Sequence, residues 1–176
     1  MPLPAPTGID SQCLTYLVTA IHGVDMPVGA LSAERIALFR AFLFEETAFY
    51  VTPTVESECA RIADSANRRR HLSCIGALFC RLRVDEATVA PRAQELRKHH
   101  AGMADCRIFA EAECGGLRNL LTYDRKLVDH LGDQSASLHL IRPLEYWNGL
   151  GIPRGTSPRW LPERSNPLHT QDWWHW

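Results

Sequence analysis

The sequence has few of the features that assign a chain to a specialised class of protein. Its six cysteines include no C-x-x-C pair and no zinc-ligand spacing, so we expect buried, reduced thiols. No apolar run is long enough to span a bilayer, and we expect no membrane partner. The opening MPLPAPTGID lacks the pattern of a secretory leader, which favours a cytoplasmic protein. A formal net charge of −1 gives no global basic field for nucleic acid.

The chain does have enough apolar residues for one sizeable core. It is 176 residues long and 45% hydrophobic, which is typical of a single domain. Short apolar runs alternate with helical patterns, and this alternation predicts an α/β fold with a mainly parallel sheet. One predicted strand ends at Ile9, and the other four cover residues 49–52, 82–84, 119–122 and 138–141. The predicted helices cover 12–21, 33–44 (with Ser32 as the cap), 53–66, 70–79, 86–98, 105–114 and 125–131.

The composition changes near the C-terminal end. From Pro143 onward the sequence is rich in proline, glycine and arginine, has little periodicity and contains all five tryptophans. We therefore divide the chain into a domain at 1–146 and an extension at 147–176 that is not an independent domain. Because tryptophan is unusual in exposed flexible chain, we expect these rings to pack on the domain or at a dimer contact, in preference to stacking on RNA.

Four acids follow apolar runs or stand at the head of an apolar helix face. They are Asp10, Glu58, Asp105 and Asp124. A carboxylate at the edge of a core is costly to desolvate unless it is paired or bound to a cation. No matching set of lysines or arginines lies near them in sequence. The four acids therefore predict a site for a divalent metal ion.

Each acid also has a simpler interpretation. Asp10 and Asp124 precede helices and could be N-caps, and for Asp10 alone that interpretation is favoured. Asp105 could simply stabilise the N-terminus of its helix through the macrodipole, without binding a metal. Glu58 could be an ordinary solvated acid. Glu58 is preferred over Glu56 because it borders the apolar face of its helix. The simpler interpretations would have to hold at all four positions together, which is less plausible than at one position alone.

Taken together, these segments resemble the PIN-domain nucleases. The resemblance covers the region from about Gly8 to Ile141, and it depends on the order of four short motifs. The motifs are Asp10-Ser11-Gln12, Pro53-Thr-Val55-Glu-Ser-Glu58, Asp105-Cys-Arg-Ile-Phe-Ala110 and Thr122-Tyr-Asp124-Arg-Lys-Leu127.

The resemblance implies a three-layer α/β/α sandwich with a Mg²⁺- or Mn²⁺-dependent phosphodiesterase centre. It implies that Asp10, Asp105 and Asp124 are metal ligands and that Glu58 completes the centre, directly or through a water. Ser11 and Thr122 are suited to holding carboxylates in register. The implied products carry a 5′-phosphate and a 3′-hydroxyl, and many small bacterial members of the family are VapC-type toxin ribonucleases.

The leading hypothesis is thus a metal-dependent endoribonuclease, the toxin of a toxin–antitoxin pair, with RNA as substrate, an antitoxin protein as partner and a homodimeric state. The alternatives are a nuclease for DNA or structured nucleic acid, and a non-catalytic PIN-like binding protein. An aspartyl-phosphate enzyme is disfavoured because Gln12 stands where a second aspartate is expected. The basic segments 68–71 and 97–100 are either phosphate-binding surfaces or solvated helix ends.

Overall fold

The computed structural model describes residues 5–23, 27–45 and 48–176. The first four residues of MPLPAPTGID, the segment that lacks the pattern of a secretory leader, lie outside the described residues. The strands are β1 (Thr7–Ile9), β2 (Tyr50–Val51), β3 (Cys80–Arg81), β4 (Asn119–Leu121) and β5 (His139–Ile141). The α-helices are α1 (Ser11–Ile21), α2 (Ser32–Phe44), α3 (Pro53–Ala60), α4 (Ser65–Leu78), α5 (Glu86–Leu96), α6 (Met103–Cys114), α7 (Arg125–Leu131) and α8 (Pro143–Leu150). A 3₁₀ helix covers Pro167–Thr170.

The five strands form one sheet in the order β3-β2-β1-β4-β5, and every pair is parallel. The chain leaves the central β1 towards β2 and β3, then returns to β4 on the other side. Because crossovers between parallel strands are almost always right-handed, we expect the helices of these two halves to lie on opposite faces of the sheet. The predicted α/β fold with a parallel sheet is confirmed, and the arrangement is compatible with a three-layer sandwich.

The core is centred on β1 and β4, where Ile9 and Leu120 are completely buried. Close approach here requires Gly8, because a Cβ at this position would lie 2.7 Å from the Cδ1 atom of Leu117. Phe109 of α6 and Leu14 of α1 are also inaccessible to solvent. Within the described part of the chain, none of the helices is both long and apolar enough to cross a membrane.

The cysteines agree largely with the sequence-based expectation. All six thiols are free; Cys13, Cys59, Cys74 and Cys106 are buried, Cys80 is half-buried and Cys114 is exposed. Burial raises the pKa of Cys59 to about 11 and also raises that of Cys13. Because the thiolate is the reactive form, these buried cysteines are packing residues.

Helix boundaries differ from the prediction between α3 and α4. We predicted one helix through residue 66 and another from residue 70, whereas α3 ends at Ala60 and α4 begins at Ser65. The side chain of Asp64 accepts a hydrogen bond from the backbone N–H of Asn67 and so caps α4. Arg68 donates to the carbonyl of Ile62 at 2.7 Å, which holds the turn between the two helices.

Two smaller predictions are also wrong. Leu31 occupies the N-cap position of α2, and Ser32 is its first helical residue. The third strand is Cys80–Arg81 instead of 82–84, because the N–H of Cys80 donates to the carbonyl of Phe49 at 2.9 Å and so sets the register of β3 on β2.

The segment after Pro143 is more regular than the sequence indicated, because residues 143–150 form α8. This helix packs against α2, and the boundary drawn between residues 146 and 147 falls inside it. The carboxylate of Glu34 accepts from the N–H of Leu144 at 2.8 Å and pairs with Arg142 at 2.8 Å. Trp147 is buried, with its ring 5.8 Å from that of Phe44 and 5.2 Å from that of Trp176.

Arg40 of α2 holds the last residues of the chain. Its guanidinium donates to the carbonyls of Trp173 at 3.2 Å, Trp174 at 3.4 Å and His175 at 2.6 Å. The same group lies 5.0 Å from the centre of the Trp176 ring. One cation thus satisfies three backbone acceptors and an aromatic face.

We expect the substitution Arg40→Met to release these C-terminal tryptophans and to lower the free energy of unfolding by about 1–3 kcal/mol. Tryptophan emission should shift to longer wavelength and become more accessible to acrylamide. Arg69→Met, at an exposed position on α4, is the matched control. Equal spectra and stability for the two variants would show that Arg40 does not hold the C-terminal segment.

Candidate metal centre at the carboxyl edge of the sheet

The centre lies where β1 and β4 end side by side. Ile9 is in register with Leu121, and the N–H of Asp10 donates to the carbonyl of Leu121 at 3.0 Å. Strand order reverses between these two strands, so the connections that follow them diverge and leave a crevice. Asp10 and Asp124 follow the two strands and stand at this crevice.

The structure brings all four predicted acids to one cavity of about 170 Å³. Asp10 and Asp124 reach it from the ends of β1 and β4, Glu58 from α3, and Asp105 from the first turn of α6. Ser11, Gln12, Ile108 and Leu127 complete its lining. Residues from four separate segments of the sequence therefore face one small space.

Asp10 is the most buried of the four acids, with only 6% of its surface exposed. Its Oδ1 atom accepts from the N–H of Cys13 at 2.7 Å, so it is the N-cap of α1, as the simpler interpretation predicted. Burial raises the pKa of the Asp10 carboxyl, Asp105 adds to the effect, and a hydrogen bond from Thr122 opposes it. Asp10 can therefore cap α1 and line the cavity at the same time.

Thr122 connects Asp10 to Asp124. Its fully buried hydroxyl donates to the Asp10 carboxylate and accepts from the N–H of Asp124 at 3.0 Å. The Oδ1 atom of Asp124 accepts from the N–H groups of Lys126 at 2.8 Å and Leu127 at 3.3 Å, which caps α7. Thr122 thus positions the backbone of Asp124 and the side chain of Asp10.

Glu58 and Glu56 have different surroundings although both belong to α3. Glu58 lines the cavity, and the hydroxyl of Ser11 donates to its Oε2 atom. Glu56 instead pairs with the Nε atom of Arg81 at 3.0 Å, on an exposed part of the surface. The hydroxyl of Ser11, which follows Asp10 directly, therefore joins the first and second motifs.

Asp105 has a partner that the sequence reasoning missed. The Nε2 atom of His100 lies 3.0 Å from Oδ2 of Asp105, and its Nδ1 atom lies 3.1 Å from Nδ1 of His130. A Cβ at Gly102 would clash with the Asp105 carboxylate and lie 2.8 Å from the Nε2 atom of His100. No periodicity indicates this contact, because His100 lies in the loop before α6 and His130 in α7.

The four cavity acids differ from three other acids of the described structure in their lack of arginine partners. Glu34 pairs with Arg142, Glu111 with Arg107, and Glu113 with Arg92. Across the described ranges 5–23, 27–45 and 48–176, no lysine or arginine forms an ion pair with the four cavity acids. No lysine or arginine of the described residues therefore offsets their charge at this edge of the sheet.

The oxygen donors of this cavity suit Mg²⁺ or Mn²⁺ better than zinc. The side chains do not converge on one point: in the residues that the structure describes, no three His, Cys, Asp or Glu side chains are placed to hold an ion together. The donor chemistry thus fits a divalent cation, whereas coordination requires the carboxylates to move closer together.

The two basic segments have mixed roles. Arg68 and His71 are structural, since Arg68 holds the turn before α4 and the buried His71 hydrogen-bonds the carbonyl of Asn67 at 2.9 Å. Arg69 and Arg70 are exposed on α4, and Arg97 and Lys98 are exposed at the end of α5. His100 alone of these segments contacts a cavity acid.

Comparison with models of known protein families finds none that matches the chain, and comparison with curated proteins finds no matching sequence.

We expect Asp10→Asn to raise the melting temperature of the metal-free protein at about pH 7. Burial raises the pKa of Asp10, so the penalty on its charged form is present above the native pKa and disappears as pH falls towards the ordinary value of 3.8. Asparagine preserves the helix cap. Thermal unfolding in EDTA over a pH series measures the effect, and a lower melting temperature for the variant at neutral pH would contradict it.

We expect Gly102→Ala to disrupt the contact of His100 with Asp105, because the new methyl group occupies the space between them. Mn²⁺ affinity, measured by calorimetry, should fall roughly 10- to 100-fold. Gly76→Ala is the matched control, since a Cβ there meets only an Arg81 nitrogen at 4.0 Å. That control should bind Mn²⁺ as wild type does and be more stable by about 0.5–1 kcal/mol. Unchanged affinity in Gly102→Ala would separate His100 from the centre.

Proposed function

We propose that the chain is a PIN-like endoribonuclease that depends on Mg²⁺ or Mn²⁺. The observation that carries this proposal is the set of four carboxylates that line one cavity at the strand-order reversal and lack lysine or arginine partners in the described structure. A cluster of this kind at a sheet crevice is suited to a hard cation and an anionic substrate.

Each residue has a role consistent with its contacts. Asp10, Asp105 and Asp124 are proposed to hold the ion, and Glu58 to complete the set. A bound divalent ion supplies a nucleophilic water near neutral pH and neutralises charge on a phosphodiester. Thr122 holds the Asp10 carboxylate and the Asp124 backbone, and Ser11 holds Glu58. Such supporting hydrogen bonds fix carboxylates in orientations that bind metal.

The binding-protein alternative explains only half of the cluster. Asp10 and Asp124 cap helices, so their positions alone need no catalytic explanation. Glu58 and Asp105 cap no helix, since the N-cap positions of α3 and α6 belong to Thr52 and Gly102. Their presence in the same cavity favours the nuclease.

The finer parts of the proposal come from the sequence alone. These are the choice of RNA over DNA, the toxin role with an antitoxin partner, the homodimeric state and the cytoplasmic location.

We expect purified wild-type protein to cleave single-stranded RNA with Mg²⁺ or Mn²⁺ and not with EDTA. Asp105→Asn and Asp124→Asn should each lower the rate roughly 100-fold or more, because an amide is a poorer ligand for a hard cation. Asp129→Asn, the same change at an exposed position of α7, is the matched control and should remain active. Circular dichroism checks that every variant is folded.

The outcomes separate the candidate functions. Equal cleavage by wild type and Asp105→Asn would place the activity elsewhere. Metal-dependent cleavage of DNA without cleavage of RNA would support the alternative nuclease. An absence of both cleavage and metal binding would support the non-catalytic binding protein.

A further inference from the structure

A second and larger cavity adjoins the candidate metal centre. It has a volume of about 490 Å³, lies between α3 and α6, and shares Glu58 with the acidic cavity. We call it the α3–α6 cleft; Arg61, Met103 and Arg107 also line it. Its volume is within the range of cavities that hold small-molecule-sized groups.

One of the two arginines of the cleft is already compensated. Arg107 donates to Glu86 at 3.0 Å and lies 3.2 Å from the completely buried Glu111. Glu111 also accepts from the N–H of Thr54 at 2.9 Å and from its hydroxyl at 2.7 Å. This network joins α6 to the first turn of α3 and leaves Arg107 little capacity for a ligand.

Arg61 is the other arginine, and its side chain is exposed. It is the C-cap of α3 and follows Glu58 by three residues, and its backbone N–H donates to the carbonyl of Glu58 at 3.1 Å. In the described part of the chain, no ion pair or side-chain hydrogen bond involves its guanidinium. Its positive charge therefore faces the cleft without a direct ion-pair partner among the described residues, beside a cluster of acids that repels a polyanion.

Met103 supplies an apolar surface in the same cleft. It is the first residue of α6, two residues before Asp105, and 64% of its surface is exposed. A large exposed apolar side chain beside an uncompensated cation matches the two parts of a nucleotide, an anionic phosphate and an apolar base face.

We propose that the α3–α6 cleft is the subsite for the nucleotide next to the scissile phosphate, with Arg61 binding a substrate phosphate and Met103 contacting the base. This assignment rests on the proposed function. It also explains how a cluster of acids in a chain with a net charge of −1 holds an anionic strand. The positive charge that binds the strand is that of Arg61, at the edge of the metal centre.

The test compares Arg61→Gln with Arg70→Gln, the same charge change at an exposed position of α4 that does not line the cleft. Cleavage of a short single-stranded RNA is measured with Mn²⁺ over a series of salt concentrations. For Arg61→Gln we expect KM to rise roughly tenfold with kcat nearly unchanged, and the logarithmic salt slope to fall by about 0.7. Met103→Ala should raise KM several-fold. Met103→Leu, which keeps a large apolar side chain, should have the KM of wild type. Equal effects of the Arg61 and Arg70 variants, or none, would overturn the assignment.

A binding measurement distinguishes failure of the subsite from failure of the nuclease proposal. Fluorescence anisotropy of the same labelled RNA is recorded with wild-type, Arg61→Gln and Arg70→Gln proteins in EDTA. If wild type does not cleave but binds RNA through Arg61 and not Arg70, the nuclease proposal fails and the subsite stands. If wild type cleaves but neither KM nor affinity depends on Arg61, the subsite fails and the nuclease proposal stands.

Discussion

Three parallel register pairs between β1 and β4 join the two halves of the sheet and place the candidate centre between them. The backbone hydrogen bond from Asp10 to Leu121 continues this pairing one residue beyond β1. As a result, Asp10 and Asp124 stand at one edge, and the buried Thr122 hydroxyl contacts both residues. The remaining two acids reach the same place because α3 and α6 pack against each other.

A cluster of acids that has no lysine or arginine partner among the described residues gives this edge its chemical character. Elsewhere the fold neutralises its poorly exposed acids with arginines, as in the pairs of Glu34 with Arg142 and Glu111 with Arg107. At the centre, the described residues offer hydroxyl and backbone donors and the ring of His100. For the buried Asp10, a negative charge costs folding free energy, and a bound cation offsets that cost.

The sequence predicted best those features that depend on local pattern. The strand before Asp124 and helix α7 were found because an apolar run, a capping acid and a helical spacing follow one another directly. The break between α3 and α4 was predicted several residues too late because the apolar spacing continues across it, and the deciding cap at Asp64 resembles any other surface acid. Helix α8 was not predicted, because the proline, glycine and tryptophan around it indicated a segment with little periodicity. The contact of His100 with Asp105 depends on the tertiary packing of a loop, which no spacing rule describes.

The central position of β1 also has a consequence for the order in which the molecule is assembled. β1 pairs on one side with β2, which follows it early in the chain, and on the other side with β4, which comes much later. Until β4 arrives, one full edge of the innermost strand exposes unpaired backbone groups, and non-local pairings of this type form slowly. A nascent or partly unfolded chain therefore exposes its innermost strand to other chains, and the protection of that edge is completed in the same step that brings Asp124 to Asp10.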